Sequence, residues 1–190
     1  MRTHTEILRD FESIAGPIEP HAEVLRKYAD KLREWDEFFA RAFYDRLFSY
    51  GPTASIFGEG ERPEREEGLK FWYRKVVSGE YDDTFWEWQF RKVGLVHVVR
   101  GIPNEFMLSA MAFVQNAFLM KVKEEFPPDE AAEIYMAFKH VTDAIATIIA
   151  AGYMYTYLEA VSESTGMSLK LIERHAKLVA QREYADGKSG

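Results

Sequence analysis

The chain contains no cysteine among its 190 residues. This absence excludes disulfide bonds, thiolate metal ligands and cysteine nucleophiles, and it is compatible with a reducing compartment. Positive charge is also in short supply, because 31 Asp and Glu outnumber 24 Lys and Arg and give a net charge of -7. Nucleic-acid binding usually requires a basic face. We therefore expect no nucleic-acid partner.

The chain also lacks the long apolar runs that would predict a secretory leader or a membrane span. Its amino terminus, MRTHTEILRDFE, carries charges where a signal peptide requires an apolar stretch. The longest nearly uncharged apolar run covers residues 144–158, whereas a typical spanning helix needs about 20 residues. We therefore expect a cytoplasmic protein with no membrane partner, in which this run forms a buried helix.

Helical periodicity covers almost the whole chain, and alternating strand patterns are scarce. The predicted fold class is therefore all-α. Glycine- and proline-containing stretches divide the chain into about seven or eight helices, since both residues interrupt helices. The predicted helices cover residues 5–14, 21–50 (one helix or two with a bend), 65–78, 84–100, 104–125, 129–162 and 168–184.

The helices predicted at 104–125 and 129–162 are the most apolar. The first has two apolar stripes, so it has to bury two sides, one in the core and the other either in the core as well or against a partner subunit. The second has a regular heptad-like seam. The seam consists of Ile134, Phe138, Val141, Ile145, Ile148, Gly152 and Tyr155.

One histidine stands inside an aliphatic run, VGLVHVVRG, at residues 93–101. The spacing of Trp86, Phe90, Val93 and His97 puts them on one helix face, so His97 is expected to point into the core. It is either a core histidine bonded to a carbonyl group or a ligand of a metal or haem. Since no pattern supplies further protein ligands, a lone inward histidine among aromatic residues favours haem, whose porphyrin contributes four nitrogens.

A tyrosine is the candidate to lie opposite this histidine. In FFARAFYDRLF, residues 38–48, Tyr44 shares an apolar stripe with Ala40 and Leu47 and is expected to face inward. A buried tyrosine hydroxyl needs an acceptor, which is either a backbone carbonyl or a ligand bound at the haem. The other four histidines are predicted to lie at the surface.

Two stretches resemble a known family. FYDRLF and VVSGEYDDTFWEWQFRKVGLVHVVRGIPNEFM are similar to the globin domain of globin-coupled sensors, single-domain sensor globins and protoglobins. The resemblance covers about residues 20–160 and is most specific at 76–106. It implies a globin-like fold, a 3-over-3 helical sandwich with an extra amino-terminal helix. We expect this domain at 1–165, followed at 166–190 by a carboxy-terminal helix and tail, a possible linker stub.

The resemblance also implies a cofactor, haem b (iron protoporphyrin IX), with His97 as the proximal metal ligand and Tyr44 as the distal hydrogen-bond donor. Leu69 falls near a distal position that is threonine in some sensors, and Met107 falls where some relatives have a tyrosine near the proximal histidine. Phe57 matches an aromatic residue that packs on the haem. The full set of expected cofactor-binding residues is His97, Tyr44, Phe43, Phe57, Leu69, Val93 and Met107.

The implied function is reversible binding of a diatomic gas, O2, CO or NO, by a gas sensor or gas-binding module. The resemblance further implies a homodimer through helices 104–125 and 129–162. Two alternatives stay open: a haem enzyme, such as a nitric oxide dioxygenase or a peroxidase-like protein with an external electron donor, and a non-haem helical dimeric adaptor. Candidate partners for the haem propionates are Arg74, Lys75, Arg91, Lys92 and Arg100.

Overall fold

The computed structural model describes residues 2–186, and these residues form helices without any strand. The predicted all-α class is therefore confirmed. The predicted carboxy-terminal tail lies, from residue 187 onward, outside the described residues. The elements are α1 (His4–Ala15), α2 (Glu19–Arg33), α3 (Asp36–Phe48), α4 (Gly51–Ala54), α5 (Arg62–Val76), α6 (Asp83–Trp88), a π-helical segment (Gln89–Gly94), α7 (Leu95–Val99), α8 (Asn104–Glu125), α9 (Pro128–Thr165) and α10 (Leu169–Asp186).

The helix ends agree with the sequence to within three residues, and the short helix α4 was not predicted. The stretch 21–50 consists of two helices that meet at Glu34 and Trp35, as the bend allowed. Helix α5 begins at Arg62 rather than 65, because Pro63 lies in its first turn, where the missing N–H has no intrahelical acceptor to lose. The helix predicted at 84–100 is interrupted by the π-helical segment, which the periodicity did not indicate.

A close approach of the turn between α5 and α6 to helix α2 sets the corner between α5 and α6. Gly79 has φ +70°, and a Cβ atom there would lie 2.3 Å from the carbonyl oxygen of Ala22 on α2. The side chain of Arg26 donates to the Gly79 carbonyl at 2.7 Å. Asp82 then caps α6, since its Oδ1 accepts the backbone N–H of Phe85 at 2.8 Å.

The longest helix, α9, forms the centre of the core. Six of the seven seam residues are buried inside the chain itself, and Tyr155 is half-buried. Phe138 stacks on Phe118 of α8 with ring centroids 3.7 Å apart. The seam therefore faces the chain's own core and is not free to contact a partner subunit. Within residues 2–186, α9 alone is long and apolar enough to cross a membrane, a test that the core helix of a soluble protein also passes.

Replacing Ile145 by Val is expected to lower the free energy of unfolding by about 1 kcal/mol, because it removes a methyl group from a fully buried position. Urea denaturation at several protein concentrations measures this loss. The same replacement at Ile14, which is 87% exposed, is the matched control and should change little. A loss that disappears at low protein concentration would show that the seam is buried by association instead.

Three of the four histidines expected at the surface are half-buried, namely His4, His21 and His140. His21 on α2 stacks on His140 of α9 with ring centroids 4.1 Å apart, and His140 Nε2 lies 3.2 Å from the Gly16 carbonyl oxygen. The expectation failed because each ring lies where two helices cross, which helical periodicity does not report. Burial and the neighbouring His140 lower the pKa of His21.

Candidate functional site

A cavity of about 380 Å³ lies between α3, α5, α7, α8 and α9. Its wall is mainly aliphatic and aromatic, as in pockets that bind large apolar ligands. All of the residues expected to contact a cofactor line this one cavity, although they come from distant parts of the chain. They are Phe43, Tyr44, Phe57, Leu69, Val93, His97 and Met107.

His97 enters the cavity from α7 with its two ring nitrogens in different environments. Nδ1 lies 2.5 Å from the carbonyl oxygen of Val93, one turn earlier, so we assign the ring proton to Nδ1. Nε2 has no hydrogen-bond partner among the described residues and keeps its lone pair. This is how a metal-ligating histidine is usually held. Burial lowers the pKa of His97, and the charge of Arg100 lowers it further, which favours the neutral ligating form.

The π-helical segment changes which residues share a face with His97. Trp86 and Phe90 are buried in the core, whereas Val93 and His97 line the cavity. A π-helical turn holds more residues than an α-helical turn and so rotates the following face. The single face predicted for all four residues was therefore wrong for the first two, while the inward direction of His97 is as expected.

The same segment is joined to the helix on the opposite side of the cavity. The Gln89 side chain is fully buried, and its Oε1 accepts the indole N–H of Trp72 at 3.2 Å. Trp72 lies on α5 and lines the cavity. This hydrogen bond fixes the distance between α5 and the helix that carries His97.

Tyr44 on α3 presents an unpaired hydroxyl group. The side chain is 7% exposed and lines the cavity. Its ring makes edge contacts with Phe43 and Phe57, at centroid distances of 5.2 and 5.7 Å. No group of the described chain accepts its hydroxyl proton, in contrast to the alternative of a carbonyl-bonded core tyrosine. Burial raises the pKa of Tyr44 to about 12, so the hydroxyl stays a donor at neutral pH.

Three further wall residues, Leu69, Met107 and Thr53, provide no free polar group that would bond to Tyr44 or His97 in place of a ligand. Leu69 and Met107 contribute apolar surface where the resemblance allowed threonine or tyrosine. The Thr53 hydroxyl also lies in the wall, but it donates to the carbonyl oxygens of Leu47 and Tyr50. The hydroxyl of Tyr44 and Nε2 of His97 are therefore available to a ligand.

Several residues of the cavity wall were not predicted from the sequence, and the most important of them is the charged residue Arg65. Six of the eight residues at 61–68 are charged, a composition that predicts a solvated helix face. Arg65, Gly68, Leu69 and Trp72 nevertheless line the cavity together, at spacings of three, four and seven along α5. Because this spacing is that of one helix face, the position predicted for Leu69 could also have indicated Arg65. Other wall residues not expected from sequence include Ile56, Trp88, Phe106, Met111, Val114 and Ile149.

The basic residues considered for propionates separate into two groups. Lys92 and Arg100 line the cavity. Arg91 pairs with Glu87, and Arg74 pairs with Asp36. Lys75 lies over the ring of Phe71, outside the cavity wall.

Tyr153, behind His97, has a buried hydroxyl group without a partner among the described residues. Its ring centroid lies 6.3 Å from that of His97. An unsatisfied buried hydroxyl costs about 1–3 kcal/mol. Tyr153→Phe is therefore expected to raise the free energy of unfolding of the haem-free protein by about 1 kcal/mol, measured by urea denaturation. A loss of stability would instead reveal a water or another acceptor at this hydroxyl.

The fold and the site together define a class of protein. Helices packed around an apolar cavity, with an inward histidine on one side and an inward tyrosine on the other, are the architecture of a globin. More specifically, the chain belongs to the Protoglobin family, whose model matches residues 16–159. None of the curated proteins matches it significantly.

Among solved structures, the chain is similar to the globin domain of the Geobacter sulfurreducens globin-coupled sensor. The TM-score is 0.69 and the sequence identity is 25%, over 80% of this chain and 99% of that chain. The expected globin-like fold is thereby confirmed. Family membership supports a role in binding or sensing a gas and implies a haem cofactor.

Proposed function

We propose that the chain is a haem-b globin that reversibly binds O2, CO or NO and acts as a gas sensor or gas-binding module in the cytoplasm. The proposal rests on one observation: two polar atoms without a hydrogen-bond partner, His97 Nε2 and the Tyr44 hydroxyl, lie in one mainly apolar cavity. Core residues without a ligand would be expected to satisfy each other or the backbone. The residues present therefore fit haem.

In this proposal His97 holds the haem iron through Nε2, and the Val93 carbonyl keeps the imidazole in the correct tautomer and orientation. Haem supplies the iron centre at which a diatomic gas binds. Tyr44 donates a hydrogen bond to a gas ligand that carries partial negative charge. Phe43, Phe57 and Leu69 exclude water from the ligand side, which strengthens that hydrogen bond.

An absorption spectrum of the purified chain tests the proposal directly. After addition of hemin we expect a Soret band, and reduction under CO should shift it. Failure to take up hemin would contradict the proposal and favour a non-haem adaptor. Nitrate formation from NO and O2 with an added reductase distinguishes an enzyme from a binding protein.

We also propose that the chain forms a homodimer through the outer faces of α8 and α9, at 104–125 and 129–162. The proposal is supported by exposed apolar side chains on these helices, because an exposed apolar patch often marks a site of protein–protein contact. They include Leu108, Met120, Met136, Met154 and Tyr157, each between 45% and 60% exposed.

The dimer proposal predicts that Met154→Glu gives a monomer, because a carboxylate on each subunit would be brought into an apolar contact. Sedimentation velocity measures the change. Leu178→Glu on α10, where Leu178 is 55% exposed, is the control and should leave the dimer intact. A wild-type chain that sediments as a monomer at all concentrations would contradict the proposal.

A further inference from the structure

Three charged side chains meet at the rim of the cavity. Arg65 on α5 and Arg100 directly after α7 both line it, so the two guanidinium groups come from opposite sides. Glu61, immediately before α5, lies between them. All three side chains are partly sheltered, with exposed fractions of 19–26%.

Both arginines share one oxygen of Glu61. Nη2 of Arg100 donates to Glu61 Oε1, and Nε of Arg65 lies 3.3 Å from the same atom. The other carboxylate oxygen accepts the backbone N–H of Gly58 at 2.9 Å. Nε of Arg65 is buried and has no hydrogen bond, although Nη2 of that residue pairs with the exposed Glu64. The cluster thus has more guanidinium donors than Glu61 can satisfy.

The charge of Arg100 acts on both Tyr44 and His97. Its charge opposes the rise in the pKa of Tyr44 and contributes to the lowering of the pKa of His97. The hydrogen bond from Arg100 lowers the pKa of Glu61 to about 2. Glu61 is therefore a carboxylate at neutral pH, the same chemical group that a haem carries on each propionate.

We propose that Arg65 and Arg100 bind a haem propionate, and that Glu61 competes with the propionate for the two arginines and occupies them before the haem arrives. The proposal rests on the proposed function, since the carboxylate belongs to the proposed cofactor. Guanidinium groups bind carboxylates through paired, charge-assisted hydrogen bonds. Competition by Glu61 then makes haem retention depend on a residue that is not an iron ligand.

The test compares hemin with hemin dimethyl ester, whose propionates are uncharged. Each porphyrin is loaded on the full chain, and its transfer to excess apomyoglobin is followed by absorbance. Arg100→Gln and Arg65→Gln should each release hemin about tenfold faster, the loss of one charge-assisted hydrogen bond, and leave ester release unchanged. Glu61→Gln should retain hemin about threefold longer, also without affecting the ester.

Arg91→Gln is the matched control, because Arg91 pairs with Glu87 and does not line the cavity. Circular dichroism establishes that each variant is folded. Equal acceleration of hemin and ester release in Arg100→Gln would overturn the proposal, as would shorter hemin retention in Glu61→Gln. The wild-type chain provides a comparison that needs no variant.

Slower wild-type release of hemin than of the ester supports the propionate site. Equal release of the two overturns it and leaves the proposed function intact. If the wild-type chain binds neither porphyrin, both proposals are wrong.

Discussion

His97→Ala is expected to abolish stable haem incorporation. All five histidines lie in the described part of the chain, and His97 is the one that lines the cavity. Within the same residues, no group of three or more His, Asp or Glu side chains could hold a metal ion instead. The apolar wall would still attract a porphyrin, but nothing would hold its iron. Absorbance after hemin addition and gel filtration measures the retained haem.

Two comparisons make this result specific. His175→Ala on α10, at an exposed position, should bind haem as the wild type does. Added imidazole should restore haem binding to His97→Ala, because it can occupy the space of the lost side chain. A His97→Ala protein that keeps a wild-type spectrum without imidazole would contradict the assignment of His97 as the ligand.

Tyr44→Phe is expected to speed O2 release by about tenfold to a hundredfold and to leave CO release nearly unchanged. A hydrogen bond to a group with negative charge contributes about 1.5–3 kcal/mol, and 1.4 kcal/mol corresponds to a factor of ten. CO carries little charge and gains little from the donor. Stopped-flow or flash-photolysis rates for both gases measure the difference.

The raised pKa of Tyr44, about 12, adds a pH test. A raised pKa means that deprotonation requires a higher pH than for an exposed tyrosine, so O2 release should show no titration of this donor up to about pH 10. Tyr28→Phe is the control, since the Tyr28 hydroxyl donates to Glu130 outside the cavity. Equal effects of Tyr44→Phe on O2 and CO would exclude the distal role.

The inward direction of His97 and Tyr44 could be predicted from local sequence, because each shares the helical spacing of the apolar residues on its own helix. The resemblance then placed both in one pocket. The π-helical segment could not be predicted, because no residue type specifies it. Arg65 was missed for a related reason: charge alone suggests solvent, and only the packing of α5 shows that this side chain lies in the cavity wall.

Local pattern was sufficient for the all-α class, most helix ends and the candidate iron ligand, since periodicity, caps and helix breakers act within one or two turns. Packing decided what separated segments do together. The seam on α9 became core because α8 packs against it. Glu61 pairs with two arginines because the start of α5 and the end of α7 border the same cavity. The Tyr44 hydroxyl is unpaired because no group of the described residues accepts its proton. Such contacts join residues tens of positions apart, where a pattern in a single chain carries no distance information.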